Sequence, residues 1–296
     1  MDARDLLTNP RSDRVRAVRA LAGRAMRERH GRFVVEGPQA VREAVSPAGR
    51  VHVRDLYLTS AAARRYDEIV AAAAQRGVRT TLGDEAVLTA MSPDAQGVVA
   101  VADLLEPGLD AVLAAEPRLV ALLAQVRDPG NAGTVIRAAD AAGAGGVLLS
   151  AASVDVHNPK VVRSTAGSLF HLPVGHGVAT SDAVAALRRA GLTVLAADGA
   201  GEHDLDDLLD VAGAAPAGVP DLAAPTAWLF GNEAWGLPDA ERALADAVVR
   251  VPLHGRAESL NLATAATVCL YASARAQRRA PTGTRTPAPT AGDLAS

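Results

Sequence analysis

The stretch Val251–Ala266, VPLHGRAESLNLATAA, joins an apolar segment to an alanine-rich one through a run of polar residues. The residues VVRVPL before the polar run are typical of a strand, and the alanines after it are typical of a helix. A connection between two such elements needs only about two to six residues, yet this one carries HGRAESLN. We therefore expect a binding site here, with Ser259 and Asn261 at a helix start, where free N–H groups attract an anion.

Composition limits the class of protein. The 296 residues are 49% hydrophobic and 21% charged, which suits a globular protein with one large or two medium domains. No apolar run could span a membrane, and the N-terminus is charged where a signal peptide would be apolar. The single cysteine, Cys269, excludes an intramolecular disulfide and a cysteine-cluster metal site. We expect a cytoplasmic protein without a membrane or metal partner, with Cys269 buried in a helix.

Charge is unevenly distributed along the chain, although the net charge is only −3. Nine arginines and three acidic residues lie between Arg4 and Arg32. This segment is either a surface that faces phosphates or an ordinary solvated helix face. Because Lys160 is the only lysine, the excess of arginine also indicates a coding bias.

Strand-like and helix-like segments alternate in two blocks. The first block contains the predicted strands RFVVEG, DLYLTS, GVRTTL and GVVAVADL, and the second begins with the buried strand LVALLAQV and includes a strand at LFHLPV. Such alternation predicts an α/β fold with a mostly parallel sheet and helices on both faces. We predict a small α/β domain at residues 1–105, a linker at 106–117, a second domain at 118–279 and a disordered tail at 280–296.

Three polar clusters follow strands of the second block, where open α/β sheets collect their ligands. The first, RDPGNAGTVIRAAD, contains Asn131 and Arg137, with Arg137 expected in the opening turns of a helix. The second, LFGNEAWGLP, contains Gly231 and Glu233, and the third is the stretch quoted first. Each cluster alone is explained by a capped helix or a glycine-rich turn. Together they indicate one binding site.

In this order and spacing the three clusters resemble the signature motifs of the SpoU or TrmH family of RNA ribose methyltransferases, in the SPOUT superfamily. The resemblance covers residues 118–277, and RFVVEGPQAVREAV resembles the small RNA substrate-binding domain, similar to a ribosomal-protein fold, that precedes it in many members. It implies that the second domain is a parallel-sheet SPOUT domain with a deep trefoil knot. Such a knot is an exception to the rule that chains do not thread loops.

The resemblance also implies S-adenosylmethionine as the cofactor, bound mainly by backbone groups around the knot. The motifs place four residues at this cofactor: Gly231, Val251, Leu253 and Leu260. They assign five residues to catalysis: Arg137, Asn131, Glu233, Ser259 and Asn261.

The resemblance suggests a role for each of these five residues. Arg137 would contact the substrate phosphate and stabilise the developing alkoxide, because a guanidinium is not deprotonated in proteins. A phosphate oxygen or water would then accept the proton. Asn131 would orient Arg137 or the ribose, and Glu233 would fix the cluster by charged hydrogen bonds. Ser259 and Asn261 would hold the nucleotide phosphate at the helix start.

The expected function is transfer of a methyl group to a ribose 2′-hydroxyl of ribosomal RNA or, alternatively, of transfer RNA. A noncatalytic RNA-binding or assembly protein with the same fold disagrees with the complete motifs, and a dinucleotide-binding enzyme disagrees with the missing G-x-G-x-x-G fingerprint. In members of this family the knots of two subunits meet, so the resemblance implies a homodimer. We expect it to pack through an apolar stripe of the last helix: Leu262, Ala266, Cys269, Leu270 and Ser273.

Overall fold

The computed structural model describes residues 6–105 and 108–279. The predicted tail at 280–296 and residues 106–107 of the predicted linker lie outside the described residues, so the domain boundaries stay predictions. Within the described ranges, no helix combines the length and the apolar character that crossing a membrane requires.

The first domain is a four-stranded sheet between helices. Its elements are α1 (Asp13–Ala20), α2 (Arg24–His30), β1 (Arg32–Glu36), α3 (Pro38–Val45), β2 (Val53–Leu58), α4 (Ser60–Arg65), α5 (Asp67–Gln75), β3 (Arg79–Leu82), α6 (Glu85–Met91) and β4 (Val98–Asp103). The strand order is β1-β4-β2-β3, with β4 antiparallel to β1 and β2, and β3 parallel to β2. All four predicted strands are confirmed.

Alternation along the central strand β4 explains why both faces of this sheet are covered. Val98, Ala100 and Ala102 point to the face packed with α3 and α5, while Val99 and Val101 point to the face packed with α1 and α6. The segment AARRYDEIVAAAAQRG between β2 and β3 has the composition of one helix but is divided into α4 and α5. The division falls at Tyr66, whose backbone leaves the helical region at φ −122° and ψ 53°.

The second domain contains a seven-stranded sheet. Its elements are α7 (Leu109–Leu113), β5 (Leu119–Leu123), α8 (Pro129–Ala142), β6 (Gly146–Ser150), α9 (Pro159–Ser164), β7 (Val174–Val178), α10 (Thr180–Arg189), β8 (Thr193–Ala197), β9 (His203–Asp204), α11 (Leu205–Asp210), β10 (Thr226–Phe230), α12 (Asp239–Arg242), β11 (Ala247–Arg250) and α13 (Leu262–Arg279). The strands are parallel in the order β7-β6-β5-β10-β8-β11-β9. The predicted parallel sheet is therefore confirmed, while the trefoil knot stays a prediction.

Helices cover both faces of this sheet, as predicted. In β10, Trp228 and Phe230 join the core formed with α8 and α13, whereas Ala227 and Leu229 join the core formed with α10. Successive residues of a strand thus contribute to cores on opposite faces of the sheet. Every position is therefore buried, which explains the continuous apolar runs of the strands.

One strand prediction is wrong. The first two residues of LFHLPV belong to a short 3-10 helix, Ser168–Phe170, and β7 begins only at Val174. Leu169 and Phe170 are buried between α3 of the first domain and α8 of the second rather than in the sheet. The apolar run reflects an interdomain contact, which local periodicity cannot separate from a strand.

The expected dimer stripe on α13 is also wrong. Ala266, Cys269, Leu270 and Ser273 are buried within their own subunit, and the Ser273 hydroxyl accepts a hydrogen bond of 2.9 Å from Trp228 Nε1. Burial raises the pKa of the Cys269 thiol far above its ordinary value. The stripe belongs to the core of the second domain.

A buried ion pair connects the two domains. Arg27 Nη2 lies 2.6 Å from Asp155 Oδ2, and Arg27 Nη1 donates to the carbonyl oxygens of Leu21 and Ala22. Burial by itself would raise the pKa of Asp155, but hydrogen bonds from His157 and Arg27 outweigh it and hold the pKa below its ordinary range. The first domain is therefore fixed to the loop after β6.

His171 makes a second, more exposed bridge between the domains. Its Nδ1 lies 2.8 Å from Asp140 Oδ2 on α8, and its Nε2 lies 3.2 Å from Glu43 Oε2 on α3. Burial would lower the pKa of His171, but the two carboxylates outweigh burial and raise it. Protonation of His171 therefore strengthens this interdomain contact.

Candidate functional site

The three polar clusters of the sequence meet at one edge of the second sheet. They follow β5, β10 and β11, which end at Leu123, Phe230 and Arg250. Because these strands are parallel, their carboxyl ends lie at the same edge.

The first cluster begins α8 through a side-chain cap. Asp128 Oδ1 accepts a hydrogen bond of 2.7 Å from the backbone N–H of Asn131, and Pro129 takes the first helical position, where no N–H is required. Gly133 lies where α8 meets α9: a Cβ at this position would approach Ser164 Cβ to 2.5 Å. This glycine serves helix packing.

Glu233 ties the turn after β10 to the start of α8. Its Oε1 accepts hydrogen bonds from the Asp128 N–H at 3.1 Å and from Asn131 Nδ2 at 3.3 Å, and its Oε2 accepts one from the Arg127 N–H at 3.4 Å. Asn131 Oδ1 in turn accepts from Asn261 Nδ2 at 3.1 Å. These contacts unite Asn131, Glu233 and Asn261, which we call the Asn131 cluster.

Asn261 is the N-cap of α13. Its Oδ1 accepts hydrogen bonds from the backbone N–H groups of Ala263 at 2.9 Å and Thr264 at 3.4 Å. Its carboxamide therefore joins the helix start to Asn131. Ser259 is exposed two residues earlier and makes no hydrogen bond to the Asn131 cluster among the described residues. Its predicted phosphate contact stays a prediction.

Arg137 lies farther along α8 than the sequence suggested. The helix begins at Pro129, so Arg137 is in its third turn, about 9 Å along the axis from Asn131 at 1.5 Å per residue. Its side chain is exposed, and no ion pair joins it to an acid among residues 6–105 and 108–279. The guanidinium is therefore available to an external anion.

Gly231 is required by the turn that carries Glu233. Asn232 and Gly236 exchange two backbone hydrogen bonds of 2.9 Å, which close the turn. A Cβ on Gly231 would come within 2.4 Å of the Gly236 carbonyl carbon. Any side chain here would first displace the turn.

Gln125 holds this site together, although the sequence gives no signal for it. Its backbone is left-handed at φ +57°, which is uncommon for a residue with a side chain. Its carbonyl oxygen accepts a hydrogen bond of 2.7 Å from Asn232 Nδ2. Its backbone N–H donates a hydrogen bond to Ser150 Oγ, and its side-chain Nε2 donates one to Glu241 Oε1. Gln125 thus connects the loop after β5 with the turn after β10.

The segment that follows β11 has few hydrogen bonds compared with the Asn131 cluster. The segment Val251–Leu260, which we call the 251–260 loop, makes no backbone-to-backbone hydrogen bond with a described residue. Val251 and Leu260 are half-buried, and the Leu253 side chain is 42% exposed. The loop thus offers unpaired N–H and C=O groups beside apolar side chains, which is the lining typical of a small-molecule site.

The part of the chain that the structure describes contains no group of three or more His, Cys, Asp or Glu residues that could hold a metal ion.

Comparison with known families matches both domains. The sequence model of the SpoU rRNA methylase family covers residues 118–271, which is more than half of the chain. The chain belongs to the SpoU family. A second family model, RNA 2′-O ribose methyltransferase substrate binding, matches residues 34–108.

Several SpoU relatives are named for their reactions. The 23S rRNA (uridine(2479)-2′-O)-methyltransferase of Streptomyces viridochromogenes is 40% identical over 60% of this chain, and the match spans 60% of that relative. The 23S rRNA (guanosine(2553)-2′-O)-methyltransferase RlmP of Bacillus subtilis is 29% identical over 90% of this chain and 97% of its own length.

A solved SpoU neighbour contains the cofactor that the sequence predicts. The AdoMet-bound rRNA methyltransferase from Sinorhizobium meliloti has a TM-score of 0.75 and 30% identity, covering 91% of this chain and 97% of its own. AviRb from Streptomyces viridochromogenes in complex with AdoMet has a TM-score of 0.74 and 33% identity, covering 90% and 99%.

Proposed function

We propose that this chain transfers the methyl group of S-adenosylmethionine to a ribose 2′-hydroxyl of RNA. The observation that carries the proposal is the Asn131 cluster, which gathers one residue from each SpoU motif at one sheet edge. Relatives named as 23S rRNA methyltransferases support large-subunit ribosomal RNA as the substrate. Transfer RNA is the alternative substrate, and cytoplasm is the proposed location.

The 251–260 loop fits the cofactor. S-adenosylmethionine supplies an electrophilic methyl group on a sulfonium when bound. The unpaired N–H and C=O groups of the loop match the polar edges of an adenine, and Val251, Leu253 and Leu260 offer apolar contact. Gly231 contributes by keeping the neighbouring turn closed.

On the substrate side, we assign the electrostatic role to Arg137. A planar guanidinium with no acidic partner among the described residues suits a phosphate of the RNA and the charge that develops on the 2′-oxygen. Arg137 does not remove the proton, because a guanidinium stays protonated. Glu233 is already engaged by three hydrogen bonds, so a phosphate oxygen or water accepts the proton.

Asn131 and Asn261 are positioning residues in this proposal. Both polar atoms of the Asn131 carboxamide are already used, one toward Glu233 and one toward Asn261. This favours an Asn131 that fixes the loops over one that holds the ribose. Rigid placement of two reactants in line supplies much of the rate enhancement that such a transfer needs.

We also propose a homodimer, with a different face of α13 from the one that the sequence indicated. Val268 and Tyr271 are 40% and 48% exposed, on the face opposite the buried Cys269 and Leu270. A second copy would cover these side chains. Sedimentation of the protein and of the Tyr271→Asp variant tests this: the parental protein should be a dimer and the variant a monomer.

The methyl transfer is tested by mapping 2′-O-methylated nucleotides in total RNA with and without the gene, followed by transfer from labelled S-adenosylmethionine to purified 23S rRNA from the deletion strain. One ribose methylation should disappear with the gene and return with the protein. Tight binding of this RNA without transfer would instead favour the noncatalytic RNA-binding protein.

A further inference from the structure

A small basic pocket lies in the first domain, outside the three SpoU motifs. It has a volume of about 220 Å³ and lies between α1, the start of β1, and strands β2 to β4. Its polar lining consists of Arg14, His30, Arg32, Asp55, Tyr57 and Arg79. We call it the Tyr57 pocket.

Tyr57 is a buried residue whose hydroxyl is accessible from this pocket. The residue is only 4% exposed, and none of the hydrogen bonds among the described residues involves its hydroxyl. Burial and the neighbouring Asp55 raise the pKa of Tyr57, although Arg14, Arg79 and Arg32 act in the opposite direction. The hydroxyl therefore stays protonated at neutral pH and can donate a hydrogen bond to a ligand.

The charge of the pocket favours an anion. Asp55 is buried, and its Oδ1 accepts a hydrogen bond of 2.6 Å from Arg79 Nε. Arg79, which lies opposite Asp55 on the adjacent strand β3, therefore neutralises the charge of this acid. Arg14 and Arg32 add two more positive charges, and no described acid pairs with either of them. Three guanidiniums against one carboxylate leave the lining positive.

Size and geometry restrict which anion fits. Pockets for whole small molecules measure roughly 300–1,000 Å³, so the Tyr57 pocket suits a single group. The ring of Tyr57 packs into the core with Val15 and Val18, which leaves no free face on which a base could stack. A phosphate remains, and arginine and tyrosine side chains are common donors to backbone phosphates of nucleic acids.

We propose that the Tyr57 pocket binds a backbone phosphate of the RNA substrate, with the Tyr57 hydroxyl, Arg14 and Arg32 as donors. This inference rests on the proposed function, because it takes RNA as the substrate. The phosphate contact carries no sequence information and fixes the register of the RNA on the first domain.

The test measures binding of fluorescein-labelled octauridylate to the full chain at several salt concentrations. Tyr57→Phe removes one oxygen without changing the packing and should weaken binding about tenfold, the scale of a lost hydrogen bond to a charged group. Arg14→Gln and Arg32→Gln should also weaken binding, and each should reduce the salt slope by about 0.7, the value for one phosphate contact of a single strand. Unchanged binding by Tyr57→Phe would overturn the proposal.

Arg64→Gln is the matched control, because Arg64 is an exposed arginine of the same domain that does not line the pocket. It should bind octauridylate like the parental protein. If Arg64→Gln costs as much as Arg14→Gln and Arg32→Gln, binding reflects diffuse charge and the pocket is not the site.

Inorganic phosphate separates an RNA site from a free-anion site. In protein labelled at the tyrosine Cζ atoms, phosphate should shift the NMR signal of Tyr57 and not those of Tyr66 and Tyr271. Such a shift together with RNA binding that ignores Tyr57→Phe would mean a free-anion site and would reject the RNA assignment. Pocket-dependent octauridylate binding without methyl transfer would reject only the proposed function.

Discussion

The Asn131 cluster and the 251–260 loop border the same sheet edge but are held in different ways. The cluster is a closed network in which Glu233 and Asn131 join the loop after β5 to the starts of α8 and α13. The loop has no backbone hydrogen bonds with described residues and exposes Leu253. In the proposed function, the fold itself therefore holds the substrate side by hydrogen bonds, whereas the loop on the cofactor side keeps its backbone groups available to a ligand.

The largest effect is expected at Arg137, which is exposed on α8 outside the Asn131 cluster. Arg137→Ala should lower methyl transfer by about 10²-fold or more with nearly unchanged affinity for S-adenosylmethionine, because one preorganised electrostatic contact is lost. Arg137→Lys should recover little, since an ammonium lacks the planar pair of donors. Single-turnover transfer and calorimetry measure the two quantities. Arg189→Ala, at an exposed arginine of α10, is the control, and parental rates in both Arg137 variants would remove Arg137 from the site.

The next effect concerns the turn after β10, which carries Glu233 and lies beside the proposed cofactor site. Gly231→Val should weaken S-adenosylmethionine binding about thirtyfold, because the side chain meets the Gly236 backbone and forcing the turn to move costs about 1–3 kcal/mol. Gly199→Ala, where an added Cβ meets nothing within 4 Å and which lies outside the 251–260 loop, should bind like the parental protein. Calorimetric titration measures the affinity of each variant for S-adenosylmethionine. Equal affinities in the two variants would show that the turn after β10 does not influence cofactor binding.

Glu233→Gln tests how the two sides depend on each other. Glutamine keeps one acceptor oxygen and replaces the other by an NH2 donor, so it cannot accept from both the Arg127 and Asp128 N–H groups, and we expect kcat to fall about tenfold, the scale of a charge-assisted hydrogen bond. The KM for S-adenosylmethionine should change little. Glu85→Gln, at an exposed glutamate of α6 in the first domain, is the control. A raised KM with an unchanged kcat would show that Glu233 serves the cofactor instead.

Hydrogen exchange compares the two sides directly. Saturating S-adenosylmethionine should slow exchange of the 251–260 amides at least about fivefold, since the ligand supplies the hydrogen-bond partners that the free loop lacks. Amides at the start of α8 should be protected with or without the cofactor. If the 251–260 amides and those at the start of α8 were equally protected in the free protein, the two regions would not differ in how they are held.

The smallest effect is expected away from both sides, at the interdomain bridge of His171. Because Asp140 and Glu43 raise its pKa, the bridge stabilises the fold fully below the ordinary histidine pKa, and this stabilisation is lost as the pH rises through the raised value. We expect a loss of about 0.5 kcal/mol, the scale of a partly exposed ion pair. Urea unfolding across this pH range should show it for the parental protein and not for His171→Gln.

Local patterns predicted much of the fold. The four strands of the first domain and the parallel sheet follow from short apolar runs separated by glycine and proline. The failures arise where burial comes from distant partners. The LFHLPV run contacts the first domain, and Cys269 and Leu270 face their own subunit's core, a distinction that helical spacing cannot make.

The candidate site was predicted less completely. The motif resemblance named Asn131, Glu233 and Asn261, which the structure joins, but it gave no sign of Gln125. The left-handed backbone of Gln125 is held by its bonds to Ser150 and Asn232. Such a conformation is imposed by the tertiary structure and has no local sequence signature in a residue other than glycine.

The hydrogen bond between Asn131 and Asn261 joins residues that are 130 positions apart in the chain. A ribosome adds roughly 5–20 residues per second, so the second asparagine is synthesised roughly 7–26 s after the first. The first domain is complete throughout this interval. During its own synthesis, each copy therefore passes through a stage in which the first domain has been synthesised but the site has not been assembled, and the site forms only after Asn261 has been added.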